Sequence, residues 1–518
     1  MAETGFRKWI IVLTVISAAV MELIDTSIVN VAITNMSASL GATVEDIAWV
    51  ITAYAIANVI IIPMTSMLGG LFGRRNYYTG SILLFTAASF FCGNAHTLTE
   101  LVLFRFLQGL GGGALLSTSQ SILFDTFTLE ERPLASGIFG LGIIIGPTVG
   151  PTLGGYIVDN FTWPWIFFVN LPIGIIAAFL SYTYVREPKH ERRVSKIDWA
   201  GIILLIIGVS SLQYVLERGQ ADDWFDSQRI VILSITSAIA LILFIYHELT
   251  TDHPAVELHV LKSPTLAFSA FLTFIIGFGL FSSVFIVPVF AQRLLGYTAM
   301  QTGLLMLPGA LITIFVLPTL GRVLQKSKIP PQFFIFTGFT LTALYTYLLT
   351  HINLNASAHT FMVPLLIRGI GLPMCFVPLT TLAVSGLHPR DIPQGIGLNN
   401  MMRQLGGSFG IAIVNTFLAH RMWMNRQAVM SHVSAFNTAT QQRVGAMTQG
   451  MMAKGMNPAA TKAQAVAALE GTVMRQTMVK SYLDVFMFVS IFFIACLPLI
   501  LFIRRGRAAV DPADAMAH

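Results

Sequence analysis

The sequence predicts an all-α polytopic membrane protein with fourteen spanning helices. Apolar residues make up 55% of the 518-residue chain and charged residues only 11%, whereas about a quarter of an ordinary soluble domain is charged. A soluble protein of this size could not cover its surface with so few charges, and a disordered chain would be more polar. Because one spanning helix needs about 20 apolar residues, the apolar content supplies roughly fourteen spans.

Hydropathy places these spans in chain order and leaves little sequence for soluble domains. The first span is too long for the apolar core of a signal peptide and has no small-residue cleavage site after it, so we expect an uncleaved helix. The spans are expected at about 9–32, 47–70, 77–93, 98–124, 134–158, 165–184, 199–216, 230–246, 266–290, 301–323, 333–350, 361–382, 395–418 and 485–503.

The positions of Lys and Arg predict the orientation. Most of the 31 basic residues fall in short segments on the side that holds the N-terminus, whereas the short loops on the other side hold only Arg218, Arg229 and Arg293. Cytoplasmic loops carry an excess of Lys and Arg. Both termini are therefore predicted to be cytoplasmic, and the protein is expected in the inner membrane.

One long segment, at about 420–480, is then predicted to lie outside the membrane. It is rich in Met, Gln and Ala, and apolar residues recur at helical spacing from Ala463 to Met478. Two interpretations stay open. The segment forms either a solvated helical hairpin or a docking surface for a partner outside the membrane.

An internal repeat indicates two related halves. A Gly-Arg turn follows spans two and ten, a buried arginine lies in spans four and twelve, and spans five and thirteen are rich in glycine. Duplicated halves with a substrate site between them at the midplane are typical of secondary transporters. The predicted units are a six-helix bundle at 1–185, two inserted helices at 186–264, a second six-helix bundle at 265–503 and a cytoplasmic tail at 504–518.

Two acidic residues inside the first span are the main candidates for chemistry. Glu22 and Asp25 lie three positions apart and therefore on one helix face. A carboxylate at membrane depth costs about 2.5 to 3.5 kcal/mol, so the two favour proton handling over a salt bridge that only ties helices together. Asp25 and Arg105 of span four are predicted to differ in depth by about 6 Å, within reach of an Arg side chain.

Further polar residues in the spans are candidates for a substrate cavity. Arg368 and Arg403 have no intramembrane acid in their own half, so they either bond backbone carbonyls, line a wet cavity or meet an anionic group of a substrate. The candidate cavity residues are Asn30, Gln108, Arg368, Asn399, Arg403 and Gln404.

Span five combines regularly spaced glycines with two prolines. Small residues every four positions allow helices to approach closely, and an interior proline removes a hydrogen bond and bends the helix. We expect a shaped, kinked interface that seals one side of a cavity. The residues concerned are Gly142, Gly146, Pro147, Gly150, Pro151, Gly154 and Gly155.

The sequence favours a transporter over an enzyme. Cys92, Cys375 and Cys496 lie in apolar runs, which argues against disulfides and thiolate metal sites. We find no P-loop, no HExxH motif and no converging nucleophile and base. No cofactor, metal or nucleic-acid partner is expected.

The residues around these candidates resemble motifs of the major facilitator superfamily, specifically its fourteen-helix drug/proton antiporters of the EmrB type. The similar stretches are 23–32 around Asp25, 103–109 around Arg105, the glycine-proline run at 142–155, 163–174 and 197–201. The resemblance covers nearly the whole chain. It implies the major facilitator fold, proton coupling at Asp25, and a role in proton transfer for Arg105.

One motif departs from the superfamily pattern. The loop after helix two normally runs G-x-L-a-D-R-x-G-R-K, but here the Asp and the first Arg are replaced by Gly70 and Leu71. Gly73, Arg74 and Arg75 remain. The charge latch attributed to this motif is therefore in doubt, although the two arginines could still meet helix ends or lipid phosphates.

The resemblance implies a proton-coupled multidrug efflux antiporter that exports lipophilic or amphipathic compounds. It also implies partners, namely a periplasmic adaptor of the EmrA type and an outer-membrane channel of the TolC type, with the adaptor expected at the long outer loop. The alternative is a dedicated exporter of one metabolite, such as a siderophore or a fatty acid, on the same scaffold.

Overall fold

A computed structural model of the chain describes residues 5–187, 196–326, 329–434, 436–453 and 457–502. In this part of the chain, fourteen long helices follow one another at the positions of the predicted spans, and the predicted tail at 504–518 lies outside it. The first seven are α1 (Gly5–Leu40), α2 (Trp49–Phe72), α3 (Arg74–Gly93), α4 (Leu98–Thr126), α5 (Arg132–Asn160), α6 (Asn170–Tyr184) and α7 (Trp199–Arg218). The others are α8 (Gln228–Thr250), α9 (Pro264–Leu295), α10 (Ala299–Lys326), α11 (Pro331–Leu349), α12 (Ala358–Val384), α13 (Ile392–Met430) and α14 (Pro458–Cys496).

Among the described residues, twelve helices are long and apolar enough to cross a membrane, which confirms a polytopic all-α protein. The two that are less apolar are α3 and α13. The former begins with Arg74-Arg75-Asn76, and the latter carries several amide and arginine side chains. Both have the length of a span, but their polar residues lower the mean hydropathy. That α3 and α13 also cross the membrane, for fourteen spans in total, stays a prediction.

The two halves repeat one packing pattern. In the first half, α1 packs on α5, α2 on α4, and α3 on α4 and α6; in the second half, α9 packs on α13, α10 on α12, and α11 on α12 and α14. The halves meet through α5 against α10 and through α13 against α2. Each of these packed pairs in the first half therefore has a counterpart eight spans further along, as the sequence repeat indicates.

The inserted pair, α7 and α8, packs at the edge of the molecule. These helices contact each other, and α7 also lies against α2 and α13. A part-buried hydrogen bond joins the inserted pair to the first half, because Thr52 donates to the Glu217 carboxylate at 2.9 Å. The pair is therefore attached to the bundle through one helix of each half.

The predicted outer segment is helical, because two spans continue into it. The 39 residues of α13 extend about 58 Å at 1.5 Å per residue, about twice the hydrocarbon core of a bilayer. Past the predicted spans, α13 is tied to α14 where Asp484 accepts from Asn425 at 2.8 Å and pairs with Arg421 at 3.0 Å. A short helix, Thr438–Ala453, packs on α14. We call this projection, residues 420–480, the stalk.

Candidate functional site

Asp25 lies at the centre of a buried polar cluster in the first half. Its Oδ2 is 2.6 Å from Nη1 of Arg105, and its Oδ1 accepts hydrogen bonds from Gln108 at 2.9 Å and from Asn170 at 2.8 Å. All four side chains are at most 1% exposed. A buried charge is tolerated only when it is paired and hydrogen-bonded, and the Asp25 carboxylate meets both conditions.

Arg105 is equally well satisfied. Its Nε donates to the carbonyl of Val50 at 3.2 Å, its Nη1 also reaches Oε1 of Gln108 at 2.9 Å, and its guanidinium lies 4.2 Å from the ring centroid of Tyr54. Such a cation over an aromatic face is stabilised when water is excluded. The structure thus pairs Asp25 with Arg105, which the sequence predicted to lie at similar depths in the membrane.

Two further members of this cluster carried no role in the sequence analysis. Ser89 accepts from Gln108 at 3.2 Å and from Asn170 at 3.0 Å, and it donates to the carbonyl of Phe167 at 2.9 Å. Asn170 begins α6, and Ser89 lies in α3. For Ser89 the only signal in the sequence was a polar residue within an apolar span, which many other residues share, whereas Asn170 also lies in the stretch 163–174 that resembles a superfamily motif.

Glu22 lies one turn before Asp25 but in a different environment. Its Oε1 accepts from Tyr54 at 3.1 Å and from Asn58 at 2.9 Å. Its Oε2 has no hydrogen-bond partner, although the residue is only 2% exposed. A buried acceptor without a donor costs about 1 to 3 kcal/mol, and more if it is charged. Glu22 is therefore the less satisfied of the two carboxyl groups.

Arg403 faces Glu22 from the other half of the molecule. It lies on α13, is 1% exposed, and interacts electrostatically with Glu22. Its Nη2 donates to Asn400 at 3.4 Å, whereas Nε and Nη1 have no partner. Asn400 in turn donates to Gln120 of α4 at 2.9 Å. Polar groups of both halves therefore meet beside the Glu22 carboxyl group.

The remaining cavity candidates lie in varied surroundings. Arg368 is buried with Nε and Nη2 unpartnered and with Tyr345 as an electrostatic neighbour. Asn399 is buried with Oδ1 unpartnered, and Gln404 is half-buried. Asn30 is exposed and donates to a carbonyl of its own helix at 3.3 Å, so it lies outside the buried clusters. The part of these four residues in a cavity stays a prediction.

The glycine-proline run of α5 packs directly on α1. A methyl group added at Gly146 would lie 2.4 Å from Cβ of Leu23, and one at Gly154 would lie 2.8 Å from Cγ1 of Ile28. Helix α5 also packs on α10 of the other half, where a Cβ on Gly137 would lie 2.5 Å from the carbonyl oxygen of Leu317. Helix α5 is therefore held between α1, which carries Glu22 and Asp25, and α10 of the opposite half. Pro147 and Pro151 both lie within α5. Gly142 and Gly150 face α1 too, and Gly155 is buried.

The loop motif that lacks its Asp contacts an acidic residue from a distant part of the chain. Gly73 adopts φ +82°, which favours glycine. The Glu187 carboxylate accepts from the backbone amides of Arg74 at 2.8 Å and Arg75 at 3.1 Å, and so caps α3. The Arg74 side chain pairs with Asp125 at the end of α4. Glu187 thus caps α3 and Asp125 pairs with Arg74 in a loop that lacks the Asp of the superfamily pattern.

Two matching halves of long apolar helices around buried carboxyl and arginine groups are the architecture of a polytopic membrane transporter. A family model described as the Major Facilitator Superfamily matches residues 15–411. The chain belongs to this superfamily, and the resemblance to its EmrB-type members is confirmed by the relatives below.

The chain is similar to several curated transporters over most of its length. It is 32% identical to the multidrug export protein EmrB of Escherichia coli, covering 96% of each chain. It is 34% identical to EmrB of Haemophilus influenzae, covering 83% of this chain and 84% of the relative. The fatty acid resistance protein FarB of Neisseria gonorrhoeae is 30% identical over 93% of each.

A solved structure shares the fold. The human organic anion transporter MFSD10 has a TM-score of 0.57 over 95% of this chain and 99% of its own, at 12% sequence identity. At this identity the likeness concerns the fold alone.

Proposed function

We propose that the protein is a proton-coupled antiporter that exports lipophilic or amphipathic toxic compounds. The observation that carries the proposal is the pair of buried carboxyl groups, Glu22 and Asp25, beside arginines of both halves. Burial favours the neutral form of a carboxyl group and a nearby cation favours the charged form. A rearrangement that changes the distance to a cation therefore takes up a proton on one side and releases it on the other.

The names of the relatives support this substrate class. Two of them are multidrug export proteins, and a third confers fatty acid resistance. The last name also favours the alternative, a dedicated exporter of one metabolite. Competition separates the two functions, because unrelated lipophilic compounds inhibit efflux by a polyspecific pump but not by a dedicated exporter.

The proton gradient supplies enough free energy for this work. One proton moving inward yields about 2.3 kcal/mol per 100 mV and about 1.4 kcal/mol per unit of pH difference. At a potential of about 100 mV and about half a pH unit, the total is near 3 kcal/mol. That corresponds to roughly 150-fold accumulation of a neutral substrate per proton.

The coupling residues are tested in proteoliposomes with an imposed pH gradient. We expect Asp25→Asn and Glu22→Gln each to abolish gradient-driven efflux, because neither amide can carry the proton. Asp159→Asn removes an exposed carboxylate at the end of α5 and should leave efflux unchanged. If both membrane variants keep gradient-driven efflux, the proton-coupling assignment is wrong.

We further propose an inner-membrane location, with both termini cytoplasmic and with the halves and inserted pair bounded near 1–185, 186–264 and 265–503. The stalk then projects into the periplasm and binds an adaptor of the EmrA type, which leads to an outer-membrane channel of the TolC type. Several of its large apolar side chains are exposed, including Trp423 at 61% and Phe436 at 93%. Exposed apolar side chains of this kind suit a protein partner.

Shortening the stalk should separate transport from resistance. Replacing the short helix Thr438–Ala453 by a flexible linker leaves α13 and α14 intact. We expect normal efflux in proteoliposomes, which contain no partner, and loss of drug resistance in cells, where the adaptor is needed. Loss of efflux in proteoliposomes as well would show that the stalk is part of the transport path.

A further inference from the structure

Two charged groups with unpartnered atoms, one from each half of the protein, interact electrostatically. Glu22 of α1 leaves Oε2 without a donor, and Arg403 of α13 leaves Nε and Nη1 without an acceptor. Both residues are at most 2% exposed. Among the described residues, no ion pair within 4 Å joins them. Each group thus lacks what the other supplies.

We infer that Arg403 is the counter-ion of deprotonated Glu22, and that this contact ties the second half to the first only while Glu22 is charged. The inference rests on the proposed function and deepens it, because it gives the two carboxyl groups different roles. Asp25 is held by hydrogen-bond donors of its own half, whereas the charge of Glu22 acts on Arg403 of the opposite half.

The surroundings of Glu22 favour this assignment. Tyr54 and Asn58 of α2 both donate to Oε1. Asp25, which lies on α1 with Glu22, is a like charge that is already paired with Arg105. Arg403 is a cation whose charge acts on Glu22. A second neutral donor could satisfy Oε2, but only a cation can compensate a buried carboxylate.

Arg403 is already linked to the first half through hydrogen bonds of Asn400. Asn400, one turn earlier on α13, accepts from Arg403 and donates to Gln120 of α4. The Arg403–Asn400 bond is long at 3.4 Å, so moving the guanidinium toward Oε2 breaks little. A guanidinium and a carboxylate form short, strong hydrogen bonds. A proton bound to Oε2 removes the charge and hence the attraction, and its release restores both.

The test follows the distance between the halves as pH changes. Spin labels are attached at Leu129 of the first half and Phe333 of the second, both exposed, after Cys92, Cys375 and Cys496 are replaced by alanine. Distances are measured by electron spin resonance in acidic and in alkaline buffer. In the labelled protein that keeps Glu22 and Arg403, the distribution of distances between the two labels should shift with pH.

The variants give opposite expectations for charge and for packing. Glu22→Gln and Arg403→Gln should each abolish the pH-dependent shift, and the double variant should resemble either single one. Arg403→Lys keeps the cation and should retain the shift, as should Arg293→Gln, which removes an exposed charge from the same half. A wild-type shift that survives Arg403→Gln overturns the inference, and so does the absence of any shift in the wild type.

The same samples separate this inference from the proposed function. Gradient-driven efflux is measured in proteoliposomes made from each variant. If the distance shift depends on both residues but the wild type shows no gradient-driven efflux, then the proposed antiport fails and the counter-ion assignment stands. If efflux is driven by the gradient and Arg403→Gln leaves the shift intact, the assignment fails and antiport stands.

Discussion

Arg105→Gln is expected to destabilise the protein by about 3 to 5 kcal/mol, the usual cost of leaving one partner of a buried ion pair uncompensated. The Asp25 carboxylate would keep its hydrogen bonds from Gln108 and Asn170 but lose the cation at 2.6 Å. Asp25→Asn should cost a similar amount, because it leaves the Arg105 guanidinium buried without a charge partner. Thermal unfolding in detergent measures both effects.

The double variant makes this prediction specific. Asp25→Asn combined with Arg105→Gln replaces the ion pair by two neutral polar groups, so most of the lost stability should return while gradient-driven efflux stays absent. Lys8→Gln is the matched control, since it breaks the partly exposed pair with Glu131 at 2.8 Å and should cost at most about 1 kcal/mol. Additive losses in the double variant would show that the two side chains act separately.

The sequence could predict the Asp25 pair because helix geometry alone limits it. Depth along two spans follows from residue number and rise, so a contact between Asp25 and Arg105 was within reach before any packing was known. The electrostatic interaction between Glu22 and Arg403 could not be predicted in this way. It depends on which face of α13 turns toward α1, and that is set by the packing of one half on the other.

The stalk and the loop motif differ in the same respect. Helical spacing from Ala463 to Met478 indicated a helix in the stalk. It did not indicate that α13 and α14 would each continue unbroken from a span into the stalk. Likewise, the missing Asp of the loop motif was evident, whereas Glu187 as a cap for α3 was not. It lies more than 100 residues away along the chain, and its side chain reaches α3 only because α6 packs on α3.

Gly146→Ala is expected to impair both folding and transport, because the added methyl group has no space. Its Cβ would lie 2.4 Å from Cβ of Leu23 and 3.2 Å from the backbone of the same residue, and neither atom can move without shifting α1. Overpacking of this kind costs about 1 to 3 kcal/mol and occasionally more. Since Leu23 lies between Glu22 and Ile24, a shift of α1 also displaces the carboxyl groups from Tyr54 and Arg105.

Gly142→Ala, one turn earlier on α5, is the matched control. Its Cβ would lie 3.3 Å from Cγ2 of Val20, a contact that a small displacement relieves, and alanine stabilises a helix by up to about 1 kcal/mol relative to glycine. We therefore expect near-normal unfolding temperature and efflux for Gly142→Ala, and clear losses of both for Gly146→Ala. Equal behaviour of the two variants would mean that close approach of α5 to α1 at Gly146 does not position the acidic helix.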